Sequence, residues 1–217
     1  MYHLINENIG LLLDAIKPER DIYPYTQLNG MCRDHKLDVS VSKEFKKLYR
    51  KYWQLNAAHL NEDYVEAYFK LLQECRSING ADVSVEQIAR KLYQFPTHSK
   101  KRYSLQFSFA TKLVHTLRPE SPVYDETVQA FFFLPPRPLS GSLDQKLRRF
   151  SQVYSFLIGE YQRVLREQRL GPSIAIFRSK YDSESSFTDE KIVDTLIWQF
   201  VKCIRNRNLE DGAFVYR

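Results

Sequence analysis

Glycine and cysteine are scarce in this chain of 217 residues, which carries seven Gly, nine Pro and three Cys and has no low-complexity tract. That scarcity excludes a collagenous, disordered or linker-dominated protein. Cys32, Cys75 and Cys203 lie far apart and are odd in number, which fits neither a disulfide framework nor a zinc site. Buried thiols are the expectation. No run approaches the roughly 18 apolar residues of a membrane span, so no membrane partner is expected. The opening MYHLINENIGLLLDAIKPER breaks its apolar stretch with Glu7 and Asp14 and has neither a basic start nor a small-residue cleavage site. It does not read as a secretory signal, and a cytoplasmic protein is expected.

The common catalytic motifs are absent too: GxxxxGK[ST], GxGxxG, HExxH, CxxC and GxSxG do not occur. His3, His35, His59, His98 and His115 are scattered with no pair at metal-ligand spacing. Neither a metal nor a cofactor is expected.

What is present is positive charge and helical periodicity. Lys and Arg number 32 against 26 Asp and Glu, a net +6 with a pI near 9.1, which permits attraction to phosphate backbones. Lys43, Lys46, Lys47, Arg50 and Lys51 recur at helical spacing opposite an apolar stripe of Phe45, Leu48, Tyr49, Tyr52 and Trp53. A second cluster, His98 with Lys100, Lys101 and Arg102, precedes an apolar helix, and Lys146, Arg148 and Arg149 form a third. These patches are either one nucleic-acid-binding groove or separate solvated faces.

The period predicts about eight helices, with no persuasive alternation of period two. They fall at 2–17, 42–57, 62–77, 84–95, 103–117, from 125, 143–168 and from 188, with a short helical piece at 174–181. Residues 18–40 read as a long connection. Asn61, Asp125 and Thr188 read as N-caps, and Ser84 with Gln87 as a capping box. The fold class is all-α, a single domain over 1–217 with a lobe boundary near 134–142. GAFVYR at the end reads as a lone strand or an extended tail.

One segment stands out, FSFATKLVHTLRPESPVYDETV from Phe107 to Val128, a helix followed by a Pro-bounded turn and then Asp125 opening the next helix. It is similar to a group of uncharacterised bacterial proteins with a helix ending in Ala-[Ser/Thr]-Lys, a Pro-[Ile/Val]-Tyr-Asp segment and an Asp-x-x-[Leu/Ile]-Trp motif. Asp194 to Trp198 supplies the last of these. More distantly, the helix, loop, aspartate, helix order resembles the helix-hairpin-helix DNA glycosylase superfamily, which flips a base out of the helix before acting on it. The resemblance implies a two-lobed helical arrangement, DNA as partner, and Asp125 as the catalytic carboxylate that offsets charge developing at the sugar. The glycine hairpin that holds a DNA phosphate is missing at Lys100 to Gln106. Phe107 stands where bifunctional members carry lysine, and the iron-sulfur cysteines are absent, so any activity would be monofunctional.

Each candidate also has a structural reading. Asp125 suits a helix cap, and Tyr124 is either a core ring or a surface on which a base stacks. His115 is a core histidine or the partner of a buried acid, and Asp194 packs against an indole N–H or an arginine. Nucleic-acid binding through Lys47, Arg50, Lys51, Lys100, Lys101 and Arg102 is the first functional expectation. The alternative is a non-catalytic interaction module, bound to a protein partner or a second copy through Phe131, Phe132 and Phe133.

Overall fold

The structure, a computed structural model, describes residues 1–77, 83–98, 103–134, 140–182 and 186–206. It is all-α, and no strand occurs among the described residues. Twelve α-helical segments are present among them: α1 Tyr2–Glu7, α2 Ile9–Asp14, α3 Pro18–Asp21, α4 Tyr23–Arg33, α5 Lys43–Tyr52, α6 Glu62–Ser77, α7 Val85–Leu92, α8 Phe107–Leu117, α9 Glu126–Phe131, α10 Leu143–Arg166, α11 Gly171–Tyr181 and α12 Asp189–Arg205.

The surplus over eight has local causes. The expected first helix is interrupted at Asn8 (φ −109°, ψ 18°), whose side-chain amide donates to Leu4 O at 2.8 Å and competes with the helical ladder. The expected connection 18–40 holds α3 and the eleven-residue α4, because Pro18 and Pro24 sit in first turns, where a missing N–H costs nothing. Helix α5 stops early because Gln54 turns left-handed (φ 58°), and a 3-10 turn, Leu55–Ala58, follows. Helix α8 starts only at Phe107, since Ser104 is held in an extended stretch by Thr97 (2.8 Å) and Gln106 (2.9 Å). Gly171 and Pro172 follow the end of α10 and open α11. Ser84 stands at the N-cap of α7, but its side chain makes no capping bond. Asn79 and Gly80, an Asn-Gly pair suited to end the helix before them, and the tail GAFVYR lie outside the described residues.

The chain divides into two compact units. Residues 23–118 and 138–151 form one, and 1–22, 119–137 and 152–217 form the other. Helix α10 contributes its first nine residues to the former and the rest to the latter.

The 23–118 unit is built around aromatic rings. Phe45, Tyr49, Tyr68 and Phe69 are fully buried and meet at centroid separations of 5.4 to 6.3 Å, mostly edge to face. Such pairs add about 0.5–1.5 kcal/mol each beyond the area that they bury. Their hydroxyls stay satisfied: Tyr49 Oη lies 2.7 Å from Tyr68 Oη and 3.1 Å from Thr116 Oγ1, and Tyr68 donates to Phe109 O at 3.0 Å. His115, 1% exposed, lies with Nε2 3.1 Å from Tyr25 Oη and is a core histidine.

The second unit centres on α12, which buries eleven residues and packs against α9, with Phe200 edge-on to Phe131 at 5.9 Å. Its N-terminal helices are tied to later ones. Tyr181 donates to Leu13 O at 2.8 Å, Asn6 donates to Arg169 O at 2.8 Å, and Tyr2 donates to Glu160 Oε1 at 2.8 Å. Burial pushes the Glu160 carboxyl up, but hydrogen bonds from Arg163 and Tyr2 outweigh it and hold the group below the usual carboxylate range. A depressed carboxyl stabilises the fold above its unfolded value near 4.3 and loses that contribution as pH falls through the lower, folded value. Urea midpoints should therefore separate wild type from Glu160→Gln at about pH 7, and the gap should narrow as pH falls toward about 3. An equal gap at both would show that the charge of Glu160 carries no stability.

All three cysteines are free and buried, and burial pushes the Cys32 and Cys75 thiols up. No helix among the described residues is long and apolar enough to cross a membrane.

Candidate nucleic-acid interface

Helix α5 forms where the sequence places it because Ser42 caps it, accepting from Phe45 N at 3.2 Å, and because its apolar members fall on one side. The opposite side divides into two kinds of cation. Lys46 pairs with Glu66 at 2.9 Å, while Arg50 pairs with Glu62 at 3.1 Å and donates to Asn56 at 2.8 Å. Lys43, Lys47 and Lys51, four residues apart, are exposed and carry no ion pair among the described residues. The file open to a phosphate backbone is thus Lys43, Lys47 and Lys51, with Arg50 engaged by α6. Lys91 on α7 and Arg148 and Arg149 on α10 are likewise exposed. Lys100, Lys101 and Arg102 lie outside the described residues.

Sequence windows missed a larger asymmetry. The unit of residues 23–118 and 138–151 contains 19 Lys and Arg against 10 Asp and Glu, a net +9. The remainder holds 13 against 16, a net −3, and together the two return the chain's +6. Every cation singled out for nucleic-acid binding belongs to the basic unit.

No family model, curated protein or solved structure matches the chain.

Asp125 belongs to the other unit and caps α9, its Oδ1 accepting from Thr127 N and Val128 N, both at 2.9 Å. Tyr124 beside it is 2% exposed and packs in the core. Asp194 is also buried, but its partner is neither an indole nor an arginine. Lys191 Nζ lies 2.8 Å from Asp194 Oδ2, and Tyr161 donates to Oδ1 at 3.5 Å. Burial first, then the charges of Asp194 and Asp125, push the Tyr161 phenol well above its ordinary value. The two carboxylates noted in the sequence therefore act on one neutral, buried phenol. The i, i+3 spacing of Lys191 and Asp194 was the signal for this pair, hidden by an expectation that a buried acid would choose arginine. Among the described residues no group of three or more His, Cys, Asp or Glu is arranged to hold a metal ion.

The three phenylalanines of the interaction alternative are unequal. Phe131 is buried, Phe132 is half-buried and stacks edge-on to Phe156 at 5.9 Å, and Phe133 is 83% exposed on a left-handed backbone (φ 51°).

Proposed function

We propose that the chain binds nucleic acid through its basic unit. The observation that carries this reading is the segregation of charge, +9 on one unit and −3 on the other, with Lys43, Lys47 and Lys51 exposed in file on α5. A polyanion that neutralises such a surface releases condensed counterions, so affinity falls steeply with salt. Fluorescence anisotropy on labelled single-stranded and duplex DNA, at about 50 to 200 mM salt, reads that slope. Lys47→Ala with Lys51→Ala is expected to weaken binding and to reduce the slope by about one per lysine. Lys180→Ala, which removes a cation paired with Asp14 on the acidic unit, should change neither. Binding that ignores salt, or no binding, would sink the proposal.

Any base-excision step falls on Asp125. Asp125→Asn preserves a good N-cap while removing the charge, so it separates chemistry from capping in an abasic-site assay. Base release that is unchanged in this variant would leave Asp125 a cap. The exposed ring of Phe133 favours a second reading, a protein contact, which the absence of nucleic-acid binding would bring forward.

A further inference from the structure

The basic unit also displays aromatic rings that its core does not use. Tyr103 is 49% exposed, Phe95 is 38% exposed, and Tyr93 is half-buried with its ring 6.4 Å from that of Tyr103. Tyr103 lies outside any helix, yet its neighbourhood is pinned. Ser104 next to it bonds the hydroxyl of Thr97, a residue with no exposure, and Thr97 O accepts from Asn61 N at 2.9 Å. On the other side the chain leaves α7 through a tight turn, with Gln94 N bonded to Lys91 O and Phe95 N to Leu92 O. Tyr93 and Tyr103 are thus held on two separately anchored stretches, and the solvated face of Tyr103 costs little ordering entropy when something stacks on it. Exposed Lys91 lies two residues before Tyr93.

We infer that Tyr103, with Tyr93 and Phe95, forms a platform on which the unpaired bases of a single strand stack, while exposed cations of the same unit, Lys91 among them, follow its phosphates. This rests on the nucleic-acid reading above and narrows its substrate class. A duplex keeps its base faces covered by neighbouring bases, so an exposed tyrosine has nothing there to stack on. A single strand offers a π-face at every nucleotide and a charge that complements the +9 of this unit. Stacking of this kind tolerates any sequence, because every base has a π-face.

The test is anisotropy with labelled oligo(dT) and oligo(rU) of about a dozen nucleotides, and a duplex of equal length, at fixed salt. Tyr103→Ala is expected to weaken single-strand binding by about five- to 150-fold, the range that one stacked base contributes. Tyr103→Trp should restore it. Duplex binding and the salt slope should stay unchanged, because no charge is removed. A loss on either single-stranded probe supports the platform, and the two probes separate DNA from RNA. Salt-dependent binding that is indifferent to Tyr103→Ala and Tyr93→Ala would overturn the platform while leaving nucleic-acid binding in place. No binding to any of the three probes would remove both. Circular dichroism melts of the variants guard against a folding defect, and the half-exposed position of Tyr103 predicts none.

Discussion

Asp194→Ala is expected to lower the unfolding free energy by about 3–5 kcal/mol, among the largest single losses available in this chain. Its carboxylate and the Lys191 ammonium lie 2.8 Å apart, with side chains only 10% and 5% exposed, on a helix whose neighbours Ile192, Val193, Leu196 and Ile197 are buried. Removing the acid takes the facing carboxylate away from a buried cation and deprives the Tyr161 hydroxyl of its acceptor. Replacing both partners, Lys191→Met with Asp194→Leu, leaves no buried charge, only the Tyr161 hydroxyl without its acceptor, and should cost less than the single change. Urea unfolding measures both variants. A loss under about 1 kcal/mol for Asp194→Ala would mean that the pair is solvated and contributes as surface pairs do.

Arg76→Ala should cost about 3 kcal/mol, since hydrogen bonds to a charged donor contribute about 1.5–3 kcal/mol each. Arg76 is 8% exposed at the end of α6 and donates to Leu37 O at 2.5 Å, to Asp34 O, and to Gln73 Oε1 at 3.1 Å. Gln73 Oε1 in turn accepts from Val39 N at 3.1 Å, so two side chains of one helix hold the stretch that links α4 to α5. That stretch sets the start of the helix carrying Lys43, Lys47 and Lys51. Arg76→Lys should recover only part of the loss, because a single ammonium lacks the planar fork that reaches two carbonyls at once. Full recovery by lysine would show that charge alone, not the fork, holds the loop.

Short-range chemistry was the legible part of this sequence. Asn61, Asp125 and Thr188 begin helices because each offers an oxygen to an amide two or three residues on, a relation contained within four residues. The apolar stripe of α7, with Val85, Ile88, Ala89 and Leu92 all buried, was likewise legible from its period. Helix interruptions were not, because nothing in composition marks Gln54 as left-handed or Asn8 as turning its amide onto Leu4. At the candidate interface, cations were visible but their neutralisation was not. Glu62 and Glu66 reach Arg50 and Lys46 from another helix, and only tertiary structure brings them there. The separation of charge was hidden for the same reason, since each unit is assembled from pieces distant in the chain.

That interleaving has a temporal consequence. Helices α1 and α2 are synthesised before α11 and α12, yet their buried residues Ile5, Leu12 and Leu13 belong with those later helices. At about 5–20 residues per second, roughly 10–40 s pass between synthesis of the two. During that interval the basic unit, most of it contiguous between 23 and 118, can close on its own aromatic core. The nascent amino-terminal helices meanwhile stay greasy and unpartnered, the stretch of this chain on which a holding chaperone has the longest time to act.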